Sequence, residues 1–145
     1  MFETLISKLQ EDKYLTLETT PQHEPSMHNI VEKIKKFKID SKVDGFTCTD
    51  NPLAKLKYNS LFAALKLQQE FKKPVIATMT MRDRNKIALQ SDLLGANDFD
   101  IRAILALTGD PANMSDQPNS KGVFEANSLM LLKMIKSFNY GMDFA

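Results

Sequence analysis

Residues 74–111 read PVIATMTMRDRNKIALQSDLLGANDFDIRAILALTGDP, a strand, a helix and a second strand in that order. Pro74-Val75-Ile76-Ala77-Thr78-Met79 is short and rich in strand-forming residues. Asn85 to Ala96 carries Ile87, Leu89, Leu93 and Leu94 at helical spacing. Ile101 to Leu107 forms the next strand, and Gly109-Asp110-Pro111 stops it. Alternation of this kind implies a parallel sheet.

The order repeats upstream. Tyr14 to Thr19 is a strand closed by Pro21, and Val43 to Cys48 is a weaker one ending near Asn51-Pro52. Strand starts recur about every 30 residues, the length of one βαβ unit. Helical patterns fill the gaps: Asn29 to Phe37 with Ile30, Val31, Ile34 and Phe37, and Leu56 to Phe71 with Leu61, Phe62 and Leu65 on one side. Ser128 to Phe138, with Leu131, Leu132 and Ile135, follows the fourth strand, and Phe2 to Gln10 forms a helix ahead of the first. Two folds compete, a doubly wound open sheet and a (β/α)₈ TIM barrel. A barrel of about 250 residues has eight units, so residues 1–145 are expected to supply its N-terminal half, with a fifth strand approaching near Tyr140 to Ala145. A half barrel exposes two edge strands and an apolar inner face, so a homo-oligomer is expected.

Composition narrows the function. A formal net charge of +1 gives no basic excess for nucleic acid. No apolar run reaches the roughly 18 residues of a membrane span, and the N-terminus lacks the pattern of a secretion signal. The single cysteine, Cys48, allows neither an intrachain disulfide nor a cysteine-based zinc site. His23 and His28 stand in a polar loop without ligand partners and are expected at the surface, so no metal site is expected. A cytoplasmic, soluble chain is the expectation.

In parallel α/β folds ligands lie beyond the carboxyl ends of the strands. That rule selects Glu18, Asp50 and Asp110 as rim acids, Arg82 with Asp83, and several threonines. Glu18 breaks the apolar pattern near the end of the first strand. It is either a general acid or a rim carboxylate paired with Arg82 or a lysine. Thr108-Gly109-Asp110 is either a close-approach turn for a ligand or a plain strand end. Arg82-Asp83-Arg84-Asn85 is either a phosphate contact or a helix start, with Asp83 expected as the N-cap. Cys48 reads as a small filler near the rim. Asp110 to Gly122 is a long loop of the kind that is often functional.

Three pieces in fixed order resemble one family. Met79-Thr80-Met81-Arg82-Asp83-Arg84-Asn85-Lys86 is similar to its "Leu-Thr-Cys-Arg-Asp-Arg-Asn-Arg" segment, Asp92-Leu93-Leu94-Gly95-Ala96 to the end of the next helix, and Ile104 to Pro111 to its "Ile-Leu-Ala-Leu-Thr-Gly-Asp-Pro" turn. The chain thus resembles the methylenetetrahydrofolate reductases from about Leu15 to Lys133. The resemblance implies a (β/α)₈ barrel that binds FAD, takes electrons from NAD(P)H and reduces 5,10-methylenetetrahydrofolate to the 5-methyl form. It implies Glu18 as general acid and Asp110 as the carboxylate near flavin and folate. The implied cofactor-binding set is Thr47, Cys48, Thr78, Leu107, Thr108, Gly109, Asp110, Phe124 and Glu125. The chain departs from the family at Thr78 (often histidine), Thr108 (often arginine), Phe124 (tyrosine) and Thr19-Thr20-Pro21-Gln22 ("Phe-Phe-Pro-Pro"). These changes remove flavin or phosphate contacts. The alternative is a non-catalytic barrel relative that binds a folate or a corrinoid-linked partner protein.

Overall fold

In the computed structural model, which describes residues 1–11 and 13–141, four parallel strands form one sheet in the order β1-β2-β3-β4. The strands are β1 (Thr16–Thr19), β2 (Gly45–Cys48), β3 (Val75–Thr80) and β4 (Ala103–Leu107). The helices among the described residues are α1 (Phe2–Glu11), α2 (His28–Lys36), α3 (Ser60–Phe71), α4 (Lys86–Asp98) and α5 (Ser128–Asn139). The expected approach to a fifth strand, at 142–145, lies outside the described residues.

Side chains alternate across a strand, and the alternation here sorts the sheet into two unlike faces. Leu17, Phe46, Cys48, Val75, Ala77, Met79, Ile104 and Ala106 all pack into the cores beneath the helices. The residues between them, including Glu18, Thr47, Ile76, Thr78, Leu105 and Leu107, belong to the opposite face, which contributes nothing to either core. A doubly wound sheet carries helices on both faces. These four units therefore wind to one side only, which decides between the two folds the sequence left open in favour of single winding. Leu105 and Leu107, on the helix-free face, are 44% and 43% exposed.

The core is built from smaller residues than the sequence pattern suggests. In α3 the buried positions are Ala63, Ala64 and Leu67, while Phe62 is 60% exposed. Alanine lets this helix approach β2 and β3 closely, as dense packing requires. In α4 Leu89 is buried, yet Ile87 and Leu94 face solvent. Phe37 and Leu132 are likewise exposed.

Asparagines set the helix starts. The Asn59 side chain accepts from the Leu61 and Phe62 N–H groups, so α3 begins at Ser60 and not at the first apolar residues near Leu56. Asn85 caps α4 through the Ala88 N–H, and Asn127 caps α5 through the Met130 N–H. The expectation that Asp83 caps α4 is corrected: its carboxylate is taken by Arg82.

Gly45 opens β2 where the chain has no room to spare. A Cβ there would collide with the Tyr14 hydroxyl and the Pro74 carbonyl oxygen. Tyr14 donates to that carbonyl at 3.4 Å, and burial, with a smaller push from Asp44, raises its hydroxyl to about 12. Gly45→Ala should therefore cost about 1–3 kcal/mol, the usual penalty of overpacking. Urea unfolding would measure it, and a stability within about 0.5 kcal/mol of wild type would show that Tyr14 can move aside.

Candidate active site on the helix-free face and its rim

Parallel register brings the sequence-selected residues together. Glu18 pairs with Thr47 across β1 and β2, Thr47 with Ile76, and Ile76 with Ala103. One step toward the carboxyl ends Thr78 pairs with Leu105, and one step further Thr80 pairs with Leu107. Glu18 is exposed on this face. The Thr47 hydroxyl donates to the Thr16 hydroxyl oxygen at 3.2 Å, which orients it beside the acid. Thr78 is 4% exposed. Glu18, Thr47, Thr78 and Leu107 thus share one surface, an acid and two hydroxyls beside an apolar patch.

Cys48 is not brought there. It sits next to Thr47 on the strand, so it faces the other way, fully buried against the helices. Burial pushes its thiol up to about 12, so it stays protonated. Its expected cofactor contact is corrected to a core-filling role.

The rim residues are committed to the loops. Asp110 Oδ2 accepts from the Leu53 N–H at 2.6 Å. Thr108 Oγ1 accepts from the Ser128 N–H at 3.4 Å, which turns it toward the start of α5. Glu125 Oε2 accepts from the Lys86 N–H at 3.0 Å and so serves the first turn of α4. Phe124 takes φ +45°, and its ring lies where a Cβ on Gly122 would be. The neighbouring Val123 N–H donates to the Arg82 carbonyl at 2.6 Å, strapping the β4–α5 loop across the end of β3. Gly109, at φ +100°, keeps the end of β4 close to β3: a Cβ would stand 3.1 and 3.2 Å from the Arg82 and Thr80 Cβ atoms.

The loop after β2 is the strained partner of this strap. Asn51, Leu53 and Ala54 have φ of +43°, +56° and +56°, a region that non-glycine residues occupy at a cost of order 1–3 kcal/mol each. Three carboxamide or carboxylate oxygens hold it: Asn51 Oδ1 on the Lys57 N–H, Asp110 on Leu53 and Asp116 Oδ1 on the Leu56 N–H.

Beneath both loops lies a network that sequence reading did not assemble. Asp50, 4% exposed, accepts from the Thr80 N–H at 2.9 Å, the Thr80 hydroxyl at 3.0 Å and Arg84 Nη1 at 2.6 Å. Arg84 Nε reaches Asp92 at 2.8 Å. Burial pushes the Arg84 guanidinium down, but Asp50 and Asp92 outweigh it and leave it raised. Arg82 is held by Asp83 through Nε and Nη2 at 2.8 and 2.6 Å, and Nη2 also donates to the Asn51 carbonyl. The Arg82 hydrogen bond holds the Asp83 carboxyl below the usual carboxylate range, with its burial opposing. The Thr49 hydroxyl, just past β2 and one of the rim threonines, is buried with no hydrogen-bond partner among the described residues.

Among the described residues no group of three or more His, Cys, Asp or Glu side chains could hold a metal ion, and no helix is long and apolar enough to cross a membrane. A family model described as methylenetetrahydrofolate reductase matches residues 3–145. No curated protein matches the chain.

Two measurements test this account of the rim. Asp50→Asn removes the charge that Arg84 faces, and breaking a buried pair costs about 3–5 kcal/mol; a loss below about 1 kcal/mol in urea unfolding would reduce the network to ordinary surface pairing. Asp83 makes a pH-dependent contribution. Its folded value lies below its ordinary 3.8, so the stability it adds is present above 3.8 and is lost as pH falls through the depressed value. Asp83→Asn should flatten that acid limb, and an unchanged slope would refute the assignment.

Proposed function

Because the chain belongs to the methylenetetrahydrofolate reductase family, we propose that it is the first half of a (β/α)₈ barrel. In that barrel FAD and NAD(P)H serve the reduction of 5,10-methylenetetrahydrofolate to the 5-methyl form. The observation that best supports this reading is the position of Glu18. Its exposed carboxyl lies on the helix-free face, in register with Thr47, and Asp110 stands at the end of β4.

The residues of that face suit a planar apolar ring edged by polar groups. Leu105 and Leu107 offer apolar surface, and Thr47 and Thr78 offer hydroxyls. Gly109 offers a strand end free of Cβ. FAD, when bound, would supply the hydride. Thr108 and Glu125 are engaged by backbone N–H groups of α5 and α4, so Thr47, Thr78, Leu107 and Gly109 would hold it on this half.

The role of Glu18 follows from the chemistry of the substrate. The bridging carbon opens to a 5-iminium cation only when the departing nitrogen is protonated. Glu18 donates that proton as general acid. The Asp110 carboxylate contributes negative charge that favours the cation. Its hold on Leu53 fixes the acid on the rim while the substrate enters. We further propose a cytoplasmic homo-oligomer. The exposed Leu105 and Leu107, and β1 and β4 as sheet edges, support an assembly that covers them.

In the complete enzyme Glu18→Gln keeps the shape but carries no acidic proton. The NADH half-reaction, followed by stopped-flow bleaching of the flavin, should stay within about tenfold of wild type. The folate half-reaction should fall by roughly 10²–10⁴, the usual contribution of a general acid. An unchanged folate half-reaction ends the assignment. A parallel fall of both, with lost stability, makes Glu18 a structural rim acid.

A further inference from the structure

The outer side of α4 carries an apolar face that the fold leaves uncovered. Ile87 is 78% exposed, and Phe62, Leu94 and Phe99 are 60%, 61% and 53% exposed. Ile87 and Leu94 stand two turns apart on one crest of α4. Beside that crest runs a groove between α3 and α4, lined by Phe62, Leu65, Gly95 and Phe99. Both neighbours of α4 in the helix layer are in place, since α5 lines the groove on its other side through Ile135 and Phe138. The four exposed side chains together show roughly 400–500 Å² to solvent, a patch as large as the largest on ordinary monomers, which are often functional.

Three features of the same helix find no complement within the fold. Gly95 sits inside α4 with nothing within 4 Å of where a Cβ would stand, although glycine weakens a helix interior. Lys86 opens α4 and Asp98 closes it, each at the end where its charge opposes the helix dipole. Both are exposed, and neither makes an ion pair among the described residues. An antiparallel copy of α4 meets all three. A two-fold axis at the exposed Ser91 sets Ile87, one turn before it, over Gly95 of the second copy, one turn after it. The same axis brings Lys86 toward Asp98 of the second copy, and the two helix dipoles then oppose each other.

We propose that the outer face of α4 is an interface between two copies of this chain, paired antiparallel about Ser91, with Ile87 of each copy seated over Gly95 of the other. The apolar patch is about half of the roughly 800 Å² per partner of a standard interface, and the polar rim that includes Lys86 and Asp98 adds the rest. Opposite charges at the two ends of one helix are complemented by the same helix turned end for end, which selects a second copy over an unrelated partner. The interface does not rest on the reductase reading. It lies on the helix side of the sheet, away from Glu18, Leu105 and Leu107.

Sedimentation equilibrium of the 145-residue chain should show reversible association. Gly95→Gln improves the helix but fills the seat of Ile87, so it should weaken association about tenfold or more with no loss of helical circular dichroism. Lys86→Asp sets like charges against Asp98 of the second copy and should weaken association by about threefold or more, because the two-fold repeats the clash. Adding Asp98→Lys should restore the wild-type affinity. A short bismaleimide should link Ser91→Cys into a dimer, since Cys48 is buried, and should leave Lys133→Cys on α5 as single chains. A monomer at every concentration, or association that Gly95→Gln and Lys86→Asp leave unchanged, overturns the proposal. Association lost in Leu105→Ser but kept in Gly95→Gln would move the contact to the helix-free face and overturn it equally.

Discussion

The Asp50 carboxylate is the point on which the rim depends. It gathers the Thr80 amide, the Thr80 hydroxyl and Arg84 Nη1 in a site closed to water. Each donor comes from a different demand. The amide lies at the end of β3, the hydroxyl completes that residue's own hydrogen bonding, and the guanidinium carries the link onward to Asp92 in α4. A charge so buried is tolerable because the Arg84 guanidinium opposes it and two Thr80 donors meet the same oxygen. The network ties the end of β2 to the end of β3 and to the helix that follows. Just past Asp50, Asn51, Leu53 and Ala54 keep left-handed conformations under the hydrogen bonds that Asn51, Asp110 and Asp116 make to this loop.

Winding to one side follows from side-chain size as much as from hydrophobicity. The helix-facing strand positions are Phe46, Cys48, Val75, Ala77 and Met79, and the helix positions that meet them are mostly alanine and leucine. The face away from the helices carries a different chemistry: Glu18, four threonines, and leucine or isoleucine at intervals. A sheet with one dry face and one chemically mixed face offers binding groups without spending core packing on them. That division lets one strand residue hold the fold while its neighbour stays out of the core, as Cys48 and Thr47 do.

Much of this was legible in the sequence. The strand order, the turn at Gly109-Asp110-Pro111 and the starts of α2, α4 and α5 follow from periodicity and turn chemistry. The period-two rule separates Thr47 from Cys48. If Thr47 faces the ligand, Cys48 cannot, because adjacent strand residues point apart. The buried stripe of α3 differs from the apolar pattern because alanines carry little hydrophobic signal, yet close packing against a sheet favours them. The Asn59 cap, which sets the length of the loop after β2, stands inside an apolar pattern that begins near Leu56 and hides it. The Asp50–Arg84–Asp92 network is not legible as a network: Asp50 reads as a rim acid and Arg84 as a phosphate contact or helix start, and nothing in the sequence pairs them across 34 positions. Of the left-handed residues Asn51, Leu53 and Ala54, only Asn51 is of a type that favours that conformation, and no glycine marks the other two.

The consecutive strand order has a kinetic side. Thr16 meets Gly45, Phe46 meets Val75 and Ile76 meets Ala103, so successive pairings close loops of nearly equal length. Loop-closure entropy varies only slowly with length, and no pairing must wait for a distant segment. A chain emerging from the ribosome can therefore add one strand and one helix at a time onto a sheet already begun, with no obligatory partner at the far end. Such vectorial growth limits the open templates to β1 and the newest strand at any moment, and it shortens the period in which each new edge can recruit the wrong neighbour.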